Sequence, residues 1–243
     1  HYVGNYVARS NMGLRDMIRE AKAATPNPIA VNIMCALSNY DSLVATAIEE
    51  KVGAIISGAG LPLNLPALAK DSNVALIPIV SSGRAARIIC KAWKHRHSRL
   101  PDAFIVEGPR AGGHIGFSME DAQVGDKNKL DEILAEVLAV AKDFTGPSGK
   151  PMPIIAAGGI FDGKDIAHYI NIGAAGVQMG TRFVCTDECD ASQEFKEQYM
   201  NASQGDIIVI KSPVGMPLRV IRNAFVDKIL SGMKSSFECK YHC

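Results

Sequence analysis

Two stretches of the chain decide its fold class: Pro153–Gly163, with the sequence PIIAAGGIFDG, and Gly173–Phe183, with the sequence GAAGVQMGTRF. Each contains a short apolar run that ends in glycine. Strands that are apolar at successive positions, rather than at alternate ones, are typical of parallel sheets that are covered on both faces. The two stretches therefore predict consecutive parallel strands, each with a glycine segment at its carboxyl end.

Similar apolar runs recur along the chain, and helical patterns separate them. The six predicted strands are Ile29–Met34, Ala54–Ser57, Val74–Val80, Ala103–Val106, Pro153–Ala157 and Gly176–Met179. The predicted helices are Gly13–Ala24, Asp41–Lys51, Arg84–Lys94, Lys129–Phe144 and Asp165–Ile172. This alternation predicts an α/β fold with right-handed crossovers. A closed barrel needs eight strands whereas an open doubly wound sheet can stop at about six, so the pattern alone leaves both open.

The chain changes character after Arg182. Helix-like stretches at Glu194–Ala202 and Leu218–Met233 replace the alternation of strand and helix. We therefore expect an α/β domain over residues 1–183 and a mainly helical appendage over residues 184–243, which could supply a homodimer contact.

The composition is that of a globular protein. Of the 243 residues, 47% are hydrophobic and 21% are charged, and the formal net charge of +1 implies no nucleic-acid partner. The basic run Lys91–Arg99 is interpreted as the solvated end of a helix. No apolar stretch approaches the roughly 20 residues of a membrane span, and no signal peptide is visible, so we expect a cytoplasmic protein.

The six cysteines do not indicate a disulfide scaffold in a chain of this length. Cys35 and Cys90 lie in apolar runs and are interpreted as reduced, buried thiols. Cys185 with Cys189, or the tail segment Cys239–Cys243, could begin a metal or redox site. Because the sequence offers no second half for either site, we predict no metal.

Glycine is concentrated where predicted strands end. Four strand ends carry it: Gly58–Ala59–Gly60, Gly108 with Gly112–Gly113, Gly158–Gly159, and Gly180. Ligands of parallel α/β proteins bind at the carboxyl ends of the strands, and glycine lets the backbone approach a ligand closely. The last two segments are separated by about one helix and one strand, so we expect them to be neighbours. Their backbone amides, with a helix N-terminus, could bind a phosphate.

His114 is the candidate catalytic residue. It lies in the segment Glu107–Gly116, EGPRAGGHIG, directly after a predicted strand and among glycines. An imidazole in such a loop can act as a general base or hydrogen-bond donor near neutral pH. The other histidines are weaker candidates for a catalytic role: His95 and His97 lie in the basic run, and His168 lies within a helix.

Three motifs together resemble the nitronate monooxygenase (2-nitropropane dioxygenase) family: AGGHIG at Ala111–Gly116, AAGGIFDG at Ala156–Gly163, and GVQMGTRF at Gly176–Phe183. FMN-dependent enoyl-acyl-carrier-protein reductases share these motifs. The resemblance runs from about Pro28 to Phe183, with weaker similarity through Leu218–Phe225.

The resemblance implies a (β/α)8 TIM barrel that binds FMN and carries a small helical insertion. The cofactor-binding residues that it implies are Asn32, Ser57, Gly58, Glu107, Gly113, Gly158, Gly159, Gln178, Gly180 and Thr181. Gly158–Gly159 and Gly180–Thr181 would form the phosphate loops. His114 would face a small-molecule substrate across the flavin and take the α-proton of a nitroalkane, with O2 as electron acceptor. In the reductases NAD(P)H reduces the flavin, which then passes hydride to an enoyl thioester.

The chain departs from the family pattern in two respects. The family begins with a strand that ends in a QGGM-like loop, followed by a second strand, and neither is present here. We therefore expect the complete protein to be longer. In addition, Pro109–Arg110 replaces the more familiar residues before AGGH, which leaves the substrate class open.

Four function classes follow. The first is an O2-using flavoenzyme that acts on alkyl nitronates, and the second is an NAD(P)H-dependent flavin reductase. The third is a flavin-free barrel such as a phosphosugar lyase or isomerase, which usually needs a lysine or carboxylate where this chain has mainly Gly, Ser and Asn, with one Glu. The fourth is a non-catalytic scaffold, which His114 argues against. Inosine monophosphate dehydrogenase-like barrels share the phosphate loops but need a nucleophilic cysteine after a strand, and Cys185 lies beyond the last one.

Overall fold

The computed structural model describes residues 2–145, 149–212 and 215–232 of the chain. These residues form two compact units. Unit 1 contains residues 2–104, 139–145 and 149–153, and unit 2 contains residues 105–138, 154–212 and 215–232.

Unit 1 alternates helices with parallel strands. Its strands are β1 (Ala30–Met34), β2 (Ala54–Gly58) and β3 (Ala75–Val80). Its helices are α1 (Tyr2–Ala24), α2 (Tyr40–Glu49), α3 (Leu65–Leu68) and α4 (Gly83–His97). The strands pair in chain order, with Ala30 opposite Ala54 and Ala54 opposite Ala75.

The core of unit 1 contains the single tryptophan of the chain. Trp93 on α4 is fully buried, and its indole Nε1 donates to the carbonyl of Pro62 at 3.0 Å. Ile55 and Leu76 on the strands are buried with it. The polar end of α4 is solvated, as the basic run predicts: Lys91 and Lys94 are exposed.

Unit 2 combines further βα units with a small antiparallel sheet. Its strands are β4 (Phe104–Glu107), β5 (Gly113–His114), β6 (Ile154–Ala157), β7 (Gly176–Gln178), β8 (Ile207–Lys211) and β9 (Pro217–Ile221). The first residue of β4, Phe104, is counted with unit 1. Its helices are α5 (Met119–Val124), α6 (Asn128–Asp143), α7 (Gly163–Ile172), α8 (Thr181–Val184), α9 (Gln193–Asn201) and α10 (Ala224–Leu230), with a 3₁₀ turn at Gln204–Asp206. The last part of α6, from Ala139 onward, is counted with unit 1. The neighbouring strands β4, β6 and β7 follow each other in that order, and β5, β9 and β8 form the antiparallel sheet.

The α/β class and all six predicted strands are confirmed, each within one residue at either end. Two helix predictions need correction. α1 begins at Tyr2 rather than Gly13, and in this earlier part the Asn11 side chain accepts a hydrogen bond from the Ser42 hydroxyl of α2 at 2.9 Å. Leu218–Met233, predicted as helix, begins as strand β9, because β9 finds partners on both sides in β5 and β8.

The stretch after residue 183 therefore contains two strands as well as helices. The division of the chain at residue 183 stays a prediction. Among the described helices, none is both long and apolar enough to cross a membrane.

Candidate active site

The ends of β6 and β7 lie side by side in unit 2. Their parallel register pairs Ala157 with Gln178, so Gly158 follows the one strand directly beside the segment that leads to Gly180. The predicted proximity of the two glycine segments is therefore confirmed. Gly158 and Gly159 have φ angles of 95° and 88°, a backbone conformation that side chains rarely adopt.

Gly158 also contacts the loop that follows β4. The amide of Gly108 donates to the carbonyl of Ala157 at 2.9 Å, which brings the two strand ends together. A Cβ atom on Gly158 would lie 3.0 Å from the nitrogen and oxygen of Gly108 and 3.2 Å from the nitrogen of Ala111. Backbone atoms of a neighbouring strand end move aside less readily than a flexible side chain, so a Cβ atom here would force the two strand ends apart by a few tenths of an ångström.

The N-terminus of α7 is already occupied by protein carboxylates. The Asp162 carboxylate accepts from the amides of Lys164 and Asp165 at 2.8 and 3.0 Å, and these hydrogen bonds help to lower its pKa. The Asp165 carboxylate in turn accepts from the amide of Phe161 at 2.9 Å. This capping box satisfies amides that a phosphate would otherwise take. The glycine loops are the remaining candidates for phosphate contacts here.

His114 lies on β5, which pairs with β9. Gly113 is opposite Arg219 and His114 is opposite Leu218, while the amide of Ile115 donates to the carbonyl of Pro217 at 3.1 Å. His114 is half-buried, and its buried Nε2 atom has no hydrogen-bond partner within the described part of the chain. A buried polar nitrogen without a partner costs stability. Such an atom is expected where a ligand supplies the missing partner.

Glu107 is the last residue of β4. It is half-buried, and loss of hydration raises its pKa to about 7 from 4.5. Near neutral pH the carboxyl can therefore exist in both forms, as an acceptor when ionised and as a donor when protonated.

Unit 1 contains the other predicted cofactor residues. The side chain of Asn32 on β1 is exposed, and Ser57 and Gly58 at the end of β2 are buried. The Ser57 hydroxyl donates to the carbonyl of Ile33 at 3.0 Å, so Tyr40 and Cys35, whose side chains lie 2.8 and 3.3 Å away, must donate to it. The Ser57 hydroxyl is thus saturated by protein groups.

A cavity of about 380 Å³ in unit 2 borders the glycine loop and includes a hydrogen-bonded pair of a histidine and an aspartate. Gly158 and Gly159 line it together with Arg110, Lys164 and the pair His168–Asp131. The His168 Nε2 atom lies 2.9 Å from the Asp131 carboxylate. Because His168 already has a partner within the protein, we interpret it as a structural residue on the surface of α7.

Sequence reasoning missed the role of Arg219 on β9. Its guanidinium donates to the carbonyls of Pro109, Ala111 and Ala122, at distances of 2.8, 3.2 and 2.5 Å. These carbonyls belong to the segment that contains His114. No local signal indicates such contacts, because the partners lie 97 to 110 positions away along the chain.

The cysteines give no metal centre in the described residues. Cys35, Cys90, Cys185 and Cys189 are free thiols, and Cys90 is buried as predicted whereas Cys35 is half-buried. Within residues 2–145, 149–212 and 215–232, no three side chains of His, Cys, Asp or Glu converge to hold a metal ion. Cys239 and Cys243 lie outside the described residues.

The alternating βα units and the glycine-rich strand ends define an α/β fold of the TIM-barrel type with a candidate site at its strand ends. A solved structure supports this class: FabK from Thermotoga maritima matches with a TM-score of 0.73 and 34% identity, over 91% of this chain and 63% of that chain. The model of the nitronate monooxygenase family matches residues 7–241, so the chain belongs to this family, whose members are oxidoreductases.

Two curated relatives of this chain have names that describe different activities. One is named (3aS,4S,5R,7aS)-5-hydroxy-7a-methyl-1-oxo-octahydro-1H-indene-4-carboxyl-CoA dehydrogenase, from Mycobacterium tuberculosis, and is 31% identical over 90% of this chain and 55% of its own length. The other is named a probable nitronate monooxygenase, from Staphylococcus saprophyticus, and is 28% identical over 94% of this chain and 59% of its own length. The chain thus spans somewhat more than half the length of these relatives.

We expect Gly158→Ala to lower the free energy of unfolding by roughly 1–3 kcal/mol, because it adds left-handed backbone strain and a contact with the backbone of Gly108. The measurement is urea denaturation followed by circular dichroism. Gly163→Ala is the matched control: no atom lies within 4 Å of its added Cβ, and its φ is unstrained. Equal stability of the two variants would contradict the proposed close approach.

The raised pKa of Glu107 predicts a pH-dependent stability difference. Ionising this carboxyl is harder in the folded than in the unfolded state, so the raised pKa favours the folded state fully below about pH 4.5. This contribution to the free energy of unfolding is lost as the pH rises through about 7. The advantage of Glu107→Gln over the unchanged protein should therefore grow between pH 5 and pH 8, by up to on the order of 3 kcal/mol. Thermal denaturation at both pH values measures it. Exposed Glu120, changed to Gln, is the control, and equal growth in both variants would contradict the burial effect.

Proposed function

We propose that this chain is the flavin-binding part of an FMN-dependent oxidoreductase of the nitronate monooxygenase type, which oxidises alkyl nitronates with O2. The observation that carries the proposal is the buried, unpartnered Nε2 atom of His114, in a loop whose residue Ala111 contacts the glycine loop at Gly158. Membership of the nitronate monooxygenase family supports the reaction class.

The residues proposed to hold FMN fit such a group. Gly158, Gly159, Gly180 and Thr181 would bind the phosphate, since two of them have positive φ angles and the strands before them are paired. The residues proposed for the ring and ribityl chain are Asn32, Ser57, Gly58, Glu107, Gly113 and Gln178. Among these, Asn32 and Gln178 expose their amide side chains at strand positions. Ser57 would contribute backbone atoms only, because protein groups already saturate its hydroxyl. Bound FMN would supply redox chemistry, accepting electrons from the substrate and passing them to O2.

His114 would act as the base for a neutral nitroalkane. The α-proton of the substrate would move to Nε2, which is buried and has no protein partner in competition with it. A Cβ atom added at Gly112 or Gly113 would meet no other described part of the chain within 4 Å, so the backbone directly before His114 is open to a ligand. A nitronate already lacks this proton, so it would need His114 only for orientation.

Glu107 would set the charge of the site near neutral pH. Its pKa of about 7 means that the buried carboxyl is partly protonated there. A protonated carboxyl can donate a hydrogen bond to an anionic ligand, whereas the ionised form would repel it. We therefore propose that anionic ligands bind more tightly as the pH falls below 7.

A second candidate is an NAD(P)H-dependent flavin reductase of the enoyl-acyl-carrier-protein reductase type. It is favoured by the Mycobacterium tuberculosis relative, whose name describes a carboxyl-CoA dehydrogenase and which is 31% identical to this chain. The two candidates differ in substrate, because a thioester is larger than a nitroalkane. They also differ in electron donor, which is NAD(P)H for the reductase and the nitronate itself for the monooxygenase. A cytoplasmic location and a homodimer stay predictions.

An anaerobic titration of the purified, flavin-loaded protein separates the two candidates. For the nitronate monooxygenase type, the visible flavin absorption should persist with excess NADH or NADPH and bleach on addition of an alkyl nitronate. Rapid bleaching by the nicotinamide nucleotide, followed by reoxidation with an enoyl thioester, would favour the reductase. Failure of the protein to bind flavin at all would refute both.

His114→Ala should lower kcat/KM for a neutral nitroalkane by about 10²- to 10⁴-fold, because the general base is lost. The loss for the preformed nitronate should be much smaller, since proton removal is already complete. Steady-state oxygen consumption with both substrates measures the contrast. His95→Ala, an exposed histidine of α4, is the control and should leave both rates unchanged. Equal losses for the two substrates would show that His114 is not the base.

A further inference from the structure

Arg219 makes an unusual set of contacts for a residue on a short strand. Its Nε atom donates to the carbonyl of Ala111 at 3.2 Å, and its Nη2 atom donates to the carbonyls of Pro109 and Ala122 at 2.8 and 2.5 Å. The three acceptors are main-chain oxygens of one segment. A single side chain therefore connects the beginning of this segment with the helix α5 that follows His114.

The guanidinium is suited to this task by its shape. It is planar and directs its N–H groups outward in a fixed fork, so one group can serve several carbonyls at once. Arg219 is half-buried, and loss of hydration lowers its pKa, with a further contribution from the neighbouring Arg110 cation. The three carbonyls replace the water that the buried cation has lost.

The same strand holds the segment by its backbone. Gly113 is paired with Arg219 itself, and the amide of Ile115 donates to the carbonyl of Pro217. Ala111, Ile115 and Ala122 form a buried apolar cluster against which Phe117 and Val209 pack. The backbone pairs of β9 and the side chain of Arg219 thus contact the chain on both sides of His114.

We propose that Arg219 is a positioning residue that holds His114 with its Nε2 atom buried and oriented for the substrate. The positioning itself follows from contacts within unit 2. Its consequence for catalysis rests on the proposed function, in which His114 is the base. Arg219 does not touch the reacting atoms and acts through the loop.

The reactivity of His114 towards diethyl pyrocarbonate tests the positioning without any need for turnover. This reagent acylates accessible, neutral imidazole nitrogens, and peptide mass spectrometry measures the rate at each histidine separately. In the unchanged protein the buried His114 should react slowly compared with the exposed His95 of α4. In Arg219→Met, local opening of the loop should raise the His114 rate at least about tenfold, towards that of His95.

Two further variants complete this experiment. Arg222→Met removes a neighbouring cation that pairs with Asp227 at the surface, so it should leave the His114 rate unchanged. Arg219→Lys keeps the charge but lacks the fork, so its His114 rate should fall between those of the unchanged protein and Arg219→Met. If Arg219→Met does not fold, Arg219→Lys carries the test. A His114 rate equal to that of the unchanged protein in every folded Arg219 variant overturns the proposal.

Kinetics then test the catalytic consequence in a double-mutant cycle. With a neutral nitroalkane, Arg219→Met should lower kcat by about 10- to 100-fold through misplacement of His114, while KM changes less than about threefold. In the His114→Ala background, the same substitution should lower kcat by less than about threefold, because the group that it positions is absent. Equal losses in both backgrounds would show that Arg219 acts by another route.

The two experiments fail in different ways. If no nitroalkane is oxidised but Arg219→Met still exposes His114 to the reagent, the proposed function is wrong and the positioning role stands. If nitroalkanes are oxidised with His114 as the base but the reagent distinguishes none of the variants, the positioning role is wrong and the proposed function stands.

Discussion

The backbone contact between Gly158 and Gly108 is the constraint on which the candidate site depends. The Gly108 amide donates to Ala157, and the chain at Gly158 then turns so close to Gly108 that an added Cβ atom would lie only 3.0 Å from its backbone. This contact fixes where the loop after β4 begins. Because Ala111 belongs to the same contact, the position of the loop that carries His114 follows from it.

Polar groups whose hydrogen bonds are all made within the protein differ from those that can still bind a ligand. In unit 1 the Ser57 hydroxyl has its one acceptor and two donors within the protein, and in unit 2 the Asp162 carboxylate is occupied by the first turn of α7. His114 differs, because its buried Nε2 atom has no partner among the described residues. A protein that leaves such a group unpaired gives up stability. Under the proposed function, the substrate recovers this loss.

The strands were predictable because their signal is local. Each of the six predicted strands is a short apolar run, and burial on both faces of a parallel sheet produces that pattern without reference to the rest of the chain. β9 was missed because Leu218 and Val220 alternate with Arg219 for only a few residues, which also suits a helix. Its strand state depends on pairing with β5 and β8, and neither pairing leaves a mark in the segment itself. The early start of α1 was missed for a related reason, since the Asn11 side chain in this part bonds to Ser42 of α2, 31 positions away along the chain.

By itself, the sequence determined the α/β class, the glycines at the strand ends, and His114 as the candidate base, because these features depend on residue type and short-range spacing. Only the tertiary structure decided that Arg219 meets the His114 loop, that Nε2 of His114 is buried without a partner, and that Glu107 has a raised pKa. The physical reason is range: burial and hydrogen bonding are set by residues such as Arg219 and Ala111, which are 108 positions apart and meet only in the folded chain.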